Sequence, residues 1–224
     1  MPGRSALVAL LTIGTLTPAA SEGQDSDFRT RLDERTAAIV MPVLEAAARD
    51  SLPMRALESK VLEGLTKQVP PERIGPVVAQ MATEFRTVRA ELRTFLPGVA
   101  FTDEEIVASA RAVRERVPVD RVAELWGARR AGEPMAVSVT VLGELVRRGV
   151  PAAEAALAMG QVVRAGVPVE VAAQIPGRVD GALGAAGNPG AALNEALRIL
   201  EIPAPRGRGP GGRGPPGGGR RPGG

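Results

Sequence analysis

Chemistry in this sequence would have to rest on carboxylates, because the 224 residues contain no histidine, no cysteine and no tyrosine. Histidine-based triads, thiol catalysis and His/Cys zinc sites are excluded by composition. No glycine-rich phosphate loop follows a predicted strand, and the one dense glycine run has no helix after it. Glu104 and Glu105 are adjacent, but neighbours on a helix point about 100° apart. Here Thr102-Asp103-Glu104-Glu105 reads as a capping box, in which the acids serve a helix start. Glu58 and Glu63 belong to a solvated face, where Glu63 and Lys67 form an ordinary i,i+4 pair. A glycosidase-type pair needs two acids across a cleft, one of them desolvated. Sugar sites also use aromatic platforms, and this chain has one Trp and four Phe. A carboxylate-dependent hydrolase is therefore the outlying alternative. No catalytic, cofactor-binding or metal-ligating residue is singled out, and the expected reading is a non-enzyme.

Other polar or aromatic positions have plain structural readings. Trp126 shares an apolar helical face with Val122 and Leu125, which favours core packing over a ligand platform. Arg129, Arg130, Arg147 and Arg148 stand where helix ends need cations, with a polyanion-binding ridge as the alternative. Arg206, Arg208, Arg213, Arg220 and Arg221 fall in a different kind of sequence, PAPRGRGPGGRGPPGGGRRPGG, spanning residues 203–224. With no apolar side chain after Ala204, that tail is expected to be disordered. Its five charges could give weak, salt-sensitive contact with an anionic surface or polyanion, or the tail could be passive. It lacks the interleaved aromatics of single-strand nucleic-acid binders.

The same tail explains the sequence pI of about 10.4. Setting aside its five arginines and Arg4 leaves 22 basic residues against 25 acids, so the body is mildly acidic. Only Lys60 and Lys67 are lysines.

The elements that must position these groups are helices. Hydrophobic residues make up 44% of the chain but aromatics only 2%. A core of Ala, Val, Leu and Ile suits close helix packing, and the alternating runs of half-buried strands are missing. Pro53, Pro70, Pro118, Pro134, Pro151 and Pro168 are separated by 17, 48, 16, 17 and 17 residues. Each is read as opening a helix at its first position, where the missing N–H costs nothing. Val122, Leu125 and Trp126 then mark one apolar face, as do Val141, Leu142, Leu145 and Val146 in the next unit. Ala155, Ala158, Met159, Val162 and Val163 do so in the unit after that.

Helix ends are equally explicit. Arg147-Arg148-Gly149-Val150-Pro151 and Arg164-Ala165-Gly166-Val167-Pro168 share one order: cation, left-handed glycine, apolar residue, proline. The unit from Pro70 lacks such a break. Ile74, Val78, Met81, Phe85, Val88, Leu92 and Phe95 instead step by fours and threes along a single helix of about 71–96. That seam is either an internal core helix or a dimer contact. Pro76 is expected to bend it. Upstream, a helix over 27–50 carries Phe28, Leu32, Ile39, Val43 and Leu44, with Pro42 expected to kink or split it. Downstream the pattern weakens at Ile175-Pro176-Gly177 and Gly184–Gly187. Asn188-Pro189 then caps a last helix with Leu193, Leu197 and Leu200.

The expected fold is all-α. Short helices form helix-hairpin repeats of about 17 residues per helix, as a compact bundle or a short α-solenoid. The repeat domain covers 22–202, with a possible sub-division near 97–101, and the disordered tail covers 203–224. Residues 1–21 read as a secretory signal peptide: Arg4, an apolar run from Ala6 to Leu16, then small residues, with cleavage after Ala19, Ala20 or Ser21. Eleven residues span only about 16 Å as a helix, too short for a membrane anchor. The segment from Lys60 to Ile74, KVLEGLTKQVPPERI, resembles stretches in uncharacterised bacterial exported proteins over about residues 50–90. That resemblance implies an exported helical protein and carries no activity or site. Together these features predict a periplasmic or extracellular module that works by binding a protein partner of the cell envelope.

Overall fold

The computed structural model describes residues 28–130 and 132–201. The predicted signal peptide, the tail and its five arginines lie outside the described residues. Among the described residues every regular element is helical and none is a strand. The helices are α1 (Glu34–Arg49), α2 (Met54–Thr66), α3 (Pro71–Phe95), α4 (Asp103–Arg114), α5 (Val119–Trp126), α6 (Ala136–Arg147), α7 (Ala152–Ala165), α8 (Val169–Ala172), α9 (Ile175–Ala186) and α10 (Pro189–Ile199). Among the described residues no helix is long and apolar enough to cross a membrane.

Five junctions share one construction. At each, a left-handed residue donates its N–H three residues back, and the apolar residue after it donates five residues back. Gly149 and Val150 bond to Val146 and Leu145, and Gly166 and Val167 bond to Val163 and Val162. Ser51 with Leu52, Gln68 with Val69, and Arg116 with Val117 repeat the pattern on non-glycine residues at φ of 50°, 54° and 69°. These are Schellman closures, which satisfy the last carbonyls of a helix while the apolar residue packs back on it. Proline follows in all five: Pro53, Pro70, Pro118, Pro151 and Pro168.

These prolines sit one place earlier than the sequence reading put them. Each is the N-cap, whose carbonyl accepts the first helical bond, as from Leu57, Ile74, Val122, Ala155 and Ala172. Proline's fixed φ, −54° to −61° at these caps, is compatible with the non-helical ψ of an N-cap as well as with the first turn. Pro134 departs further: Met135 is the N-cap of α6, and Pro134 lies in the loop before it.

Three further expectations are corrected. The helix over 27–50 is interrupted at 31–33, because Asp33 accepts from the Thr36 N–H (2.9 Å) and from its hydroxyl (2.6 Å) and starts α1 afresh. Pro42 does not split α1, which runs unbroken from Glu34 to Arg49; Val40, Leu44 and Ala47 hold it to the core on both sides. Residues 175–186 form a full helix despite Gly177, Gly181 and Gly184, and it ends at left-handed Gly187.

The seam on α3 is an internal core face. Ile74, Val78, Phe85, Val88 and Leu92 are buried, with Ala82 beside a half-buried Met81. Phe95 is 52% exposed. A strict seven-residue pattern drifts by about 20° per heptad on a straight helix, so its last member turns off the face.

Ion pairs fix the direction in which helices lie together. Arg35 and Glu72 pair near the starts of α1 and α3 (2.5 Å), while Asp50, just past α1, pairs with Arg86 far along α3 (2.5 Å). The two helices therefore run parallel, with α2 returning between them. The same holds for α4 and α6, where starts meet through Glu105 and Met135 (3.0 Å) and later turns through Arg111 and Glu144 (2.7 Å). At the ends of α5 and α7, Arg130 donates to the Arg164 carbonyl (2.6 Å). The core threads through all of these, from Phe28 to Leu197.

Candidate functional site

The site is built on the parallel pair α4 and α6. On α4, Glu104, Val107, Ala108 and Arg111 fall on one stripe, at i, i+3, i+4 and i+7. On α6, Val137, Thr140, Val141 and Glu144 do the same. The helices approach closely because small residues meet between them: a Cβ at Gly143 would lie 3.1 Å from the Ala112 Cα. The adjoining stripes make the floor of a groove of about 730 Å³, walled by the start of α2 (Pro53, Arg55) and by Pro176 of α9. From Glu104 to Arg111 it runs about 10 Å along α4.

The floor is apolar, with Val107, Ala108 and Val141, and Val137 stands 37% exposed on it. One end is electrically closed. Glu144 accepts from Arg111 (2.7 Å), Arg147 (2.6 Å) and Arg148 (2.6 Å). The hydrogen bond from Arg147, then that from Arg148, hold its carboxyl below the ordinary range, against a smaller desolvation effect. The other end is not closed. Asp103 and Glu104 stand side by side in the first turn of α4 with no ion pair among the described residues. Asp103 is exposed by surface area, yet the surrounding groove wall desolvates it and pushes its carboxyl up. The Glu104 charge adds to the rise and Arg89 offsets part of it.

Glu105, next in sequence, points the opposite way and is 2% exposed. Its oxygens accept from the N–H groups of Thr102 (2.9 Å) and Met135 (3.0 Å). With the Thr102 hydroxyl accepting from the Glu105 N–H, the predicted capping box is formed in full. So Glu104 and Glu105 are not brought together: one faces the groove, the other locks α4 to α6.

The remaining sequence candidates resolve into structure. Trp126 is core, with its ring edge-on to Phe101 (centroids 4.9 Å apart) and the Arg129 guanidinium 5.0 Å over its face. Arg129 donates to the Glu133 carbonyl, Arg130 to that of Arg164, and Arg148 to that of Glu144 and to Asp180. Arg130 and Arg148 thus serve helix ends, while Arg129 ties the loop before α6 to the Trp126 ring. Glu63 lies between Lys60 (2.8 Å) and Lys67 (2.5 Å), whose hydrogen bonds lower its carboxyl to about 2. Among the described residues no group of three or more Asp or Glu side chains could hold a metal ion.

Sequence reasoning missed the groove. Arg55, Val137 and Pro176 come from three separate segments, and their convergence depends on how α2, α6 and α9 pack. The one available signal was Val137, one turn before Val141 and left over by the apolar face of its unit. Comparison of the chain with protein-family models, with curated proteins and with solved structures finds no match.

Proposed function

We propose that this chain is an exported, non-catalytic interaction module of the cell envelope, and that the groove on α4 and α6 is where it binds a protein partner. The observation that carries the reading is an open, apolar floor flanked at one end by two adjacent carboxylates that make no ion pair among the described residues. Neither end offers acid–base chemistry across a cleft. Glu144 is held ionised by three arginines, and Asp103 and Glu104 share one helix turn. Export rests on the leader-like residues 1–21 and their charge and hydropathy order.

The recurring closure of left-handed residue, apolar residue and proline supports a repeat of helix hairpins, stacked so that next-but-one helices run parallel. Stacking of that kind leaves one stripe of each helix for a ligand. A photo-crosslinking residue at position 137 should trap a partner in envelope fractions, while the same residue at position 93, on α3, should not. Equal labelling from both positions would sink the reading. The charge segregation of the chain favours a second one, anionic-surface contact through Arg206, Arg208, Arg213, Arg220 and Arg221. Deleting 203–224 should then remove a salt-sensitive retention.

A further inference from the structure

The charges around the groove do not cancel evenly, and the imbalance says what should enter it. Of the ionisable groups on its lining, Glu144 is already engaged by Arg111 at 2.7 Å, and by Arg147 and Arg148 from outside the groove, so that end has no free carboxylate. That leaves Asp103 and Glu104 together at the start of α4, and Arg55 on the α2 wall, none with an ion pair among the described residues. Between them the floor is Val107, Val137 and Val141, with Val137 uncovered.

We infer that the groove takes a polypeptide segment whose apolar side chains lie on Val107, Val137 and Val141 and whose lysine or arginine is held between Asp103 and Glu104. The inference rests on the interaction-module reading and adds the chemistry of the partner. Burying an apolar segment on this floor supplies affinity, because apolar area leaves water. A cation beside two adjacent carboxylates relieves their mutual repulsion, and it sets the register of the segment. Desolvation, and after it the Glu104 charge, already push the Asp103 carboxyl up, with Arg89 offsetting part of the rise. A segment carrying an acid at the cation's place would bring three like charges together, so the site discriminates as well as attracts. Arg55 gives the orientation a second anchor, since it would attract an acid placed further along the segment.

The test is to pan a random-peptide phage library against the full chain and to measure the selected peptides by fluorescence anisotropy. Wild type is compared with Val137→Glu, which puts a charge on the floor at an exposed position, and with Asp103→Asn/Glu104→Gln, which removes the charges alone. The selected peptides should combine Leu, Ile, Val or Phe with Lys or Arg and lose binding to Val137→Glu. They should bind the double variant about ten-fold more weakly, with a shallower salt dependence. The Lys→Glu twin of a selected peptide asks the same question of the wild-type chain, should the double variant melt early. Peptides that need Val137 but bind the double variant and the twin equally well would overturn the charge inference and leave the module reading standing. A panning that yields no peptide sensitive to Val137→Glu would overturn both.

Discussion

Glu105 binds the backbone N–H of Met135, 30 residues further on, with one carboxylate oxygen while the other closes its own capping box on Thr102. A single buried side chain thus joins the start of α4 to the start of α6 and sets the floor of the groove. Truncating it strands the buried Met135 N–H and undoes the capping bond to the Thr102 N–H. Glu105→Ala should cost about 2–3 kcal/mol in urea denaturation. Glu105→Gln, which keeps one acceptor, should cost less. A loss below about 0.5 kcal/mol for the alanine would mean that the link carries no weight.

Ser51, Gln68 and Arg116 hold left-handed conformations that glycine adopts without penalty. Gln68→Gly and Arg116→Gly, both at exposed positions, should each stabilise the fold by about 0.5–1 kcal/mol. The cost of side chains at positive φ slightly outweighs the extra freedom of glycine in the unfolded chain. Thermal melts should move up; a drop in either variant would contradict the assigned junction geometry.

Gly143 has the Ala112 backbone against the place where a Cβ would stand, and backbone cannot swing aside. Gly143→Val should therefore destabilise by about 1–3 kcal/mol through overpacking. It should also weaken groove binding by spreading α4 from α6. Gly181→Val, on a face where a Cβ meets open space, is the matched control and should cost nothing or gain slightly, since valine is the better helix former.

The pH behaviour of Glu63 follows from its lysines. Its carboxyl is lowered to about 2 from 4.5, first by the Lys60 hydrogen bond and then by that of Lys67. The stabilisation it brings is complete above the unfolded value of 4.5 and is lost as pH falls toward 2. In an NMR titration Glu63 should show one of the lowest glutamate midpoints, and Lys60→Met should raise it. Asp103 has the opposite sign. Its raised carboxyl means a contribution present at low pH and lost as pH rises through its folded value. Asp103→Asn should consequently leave stability at neutral pH unchanged or slightly higher.

What could be read from the residues divides along physical lines. Gly149 and Gly166 announced their junctions, because glycine is the residue expected at a left-handed helix end, and Thr102 to Glu105 spelled out a local cap. The same closure at Ser51, Gln68 and Arg116 carries no such marker, since there the apolar residue and the proline impose the turn on an ordinary side chain. Asp33 was overlooked as a cap because the apolar pattern ran straight past it. Pro42 does not split α1, because one lost hydrogen bond is outweighed by packing along the rest of the helix. The groove was out of reach, because it depends on Arg55, Val137 and Pro176 arriving together, which is a property of packing angles.

Each Schellman closure is completed by bonds spanning no more than six residues, so the bend between one helix and the next is set by its own short stretch of chain. On the proposed function, a groove assembled from such corners is already shaped before a partner arrives. Little ordering would then be left for the moment of encounter, so the proposed binding should be fast and modest in its entropic toll.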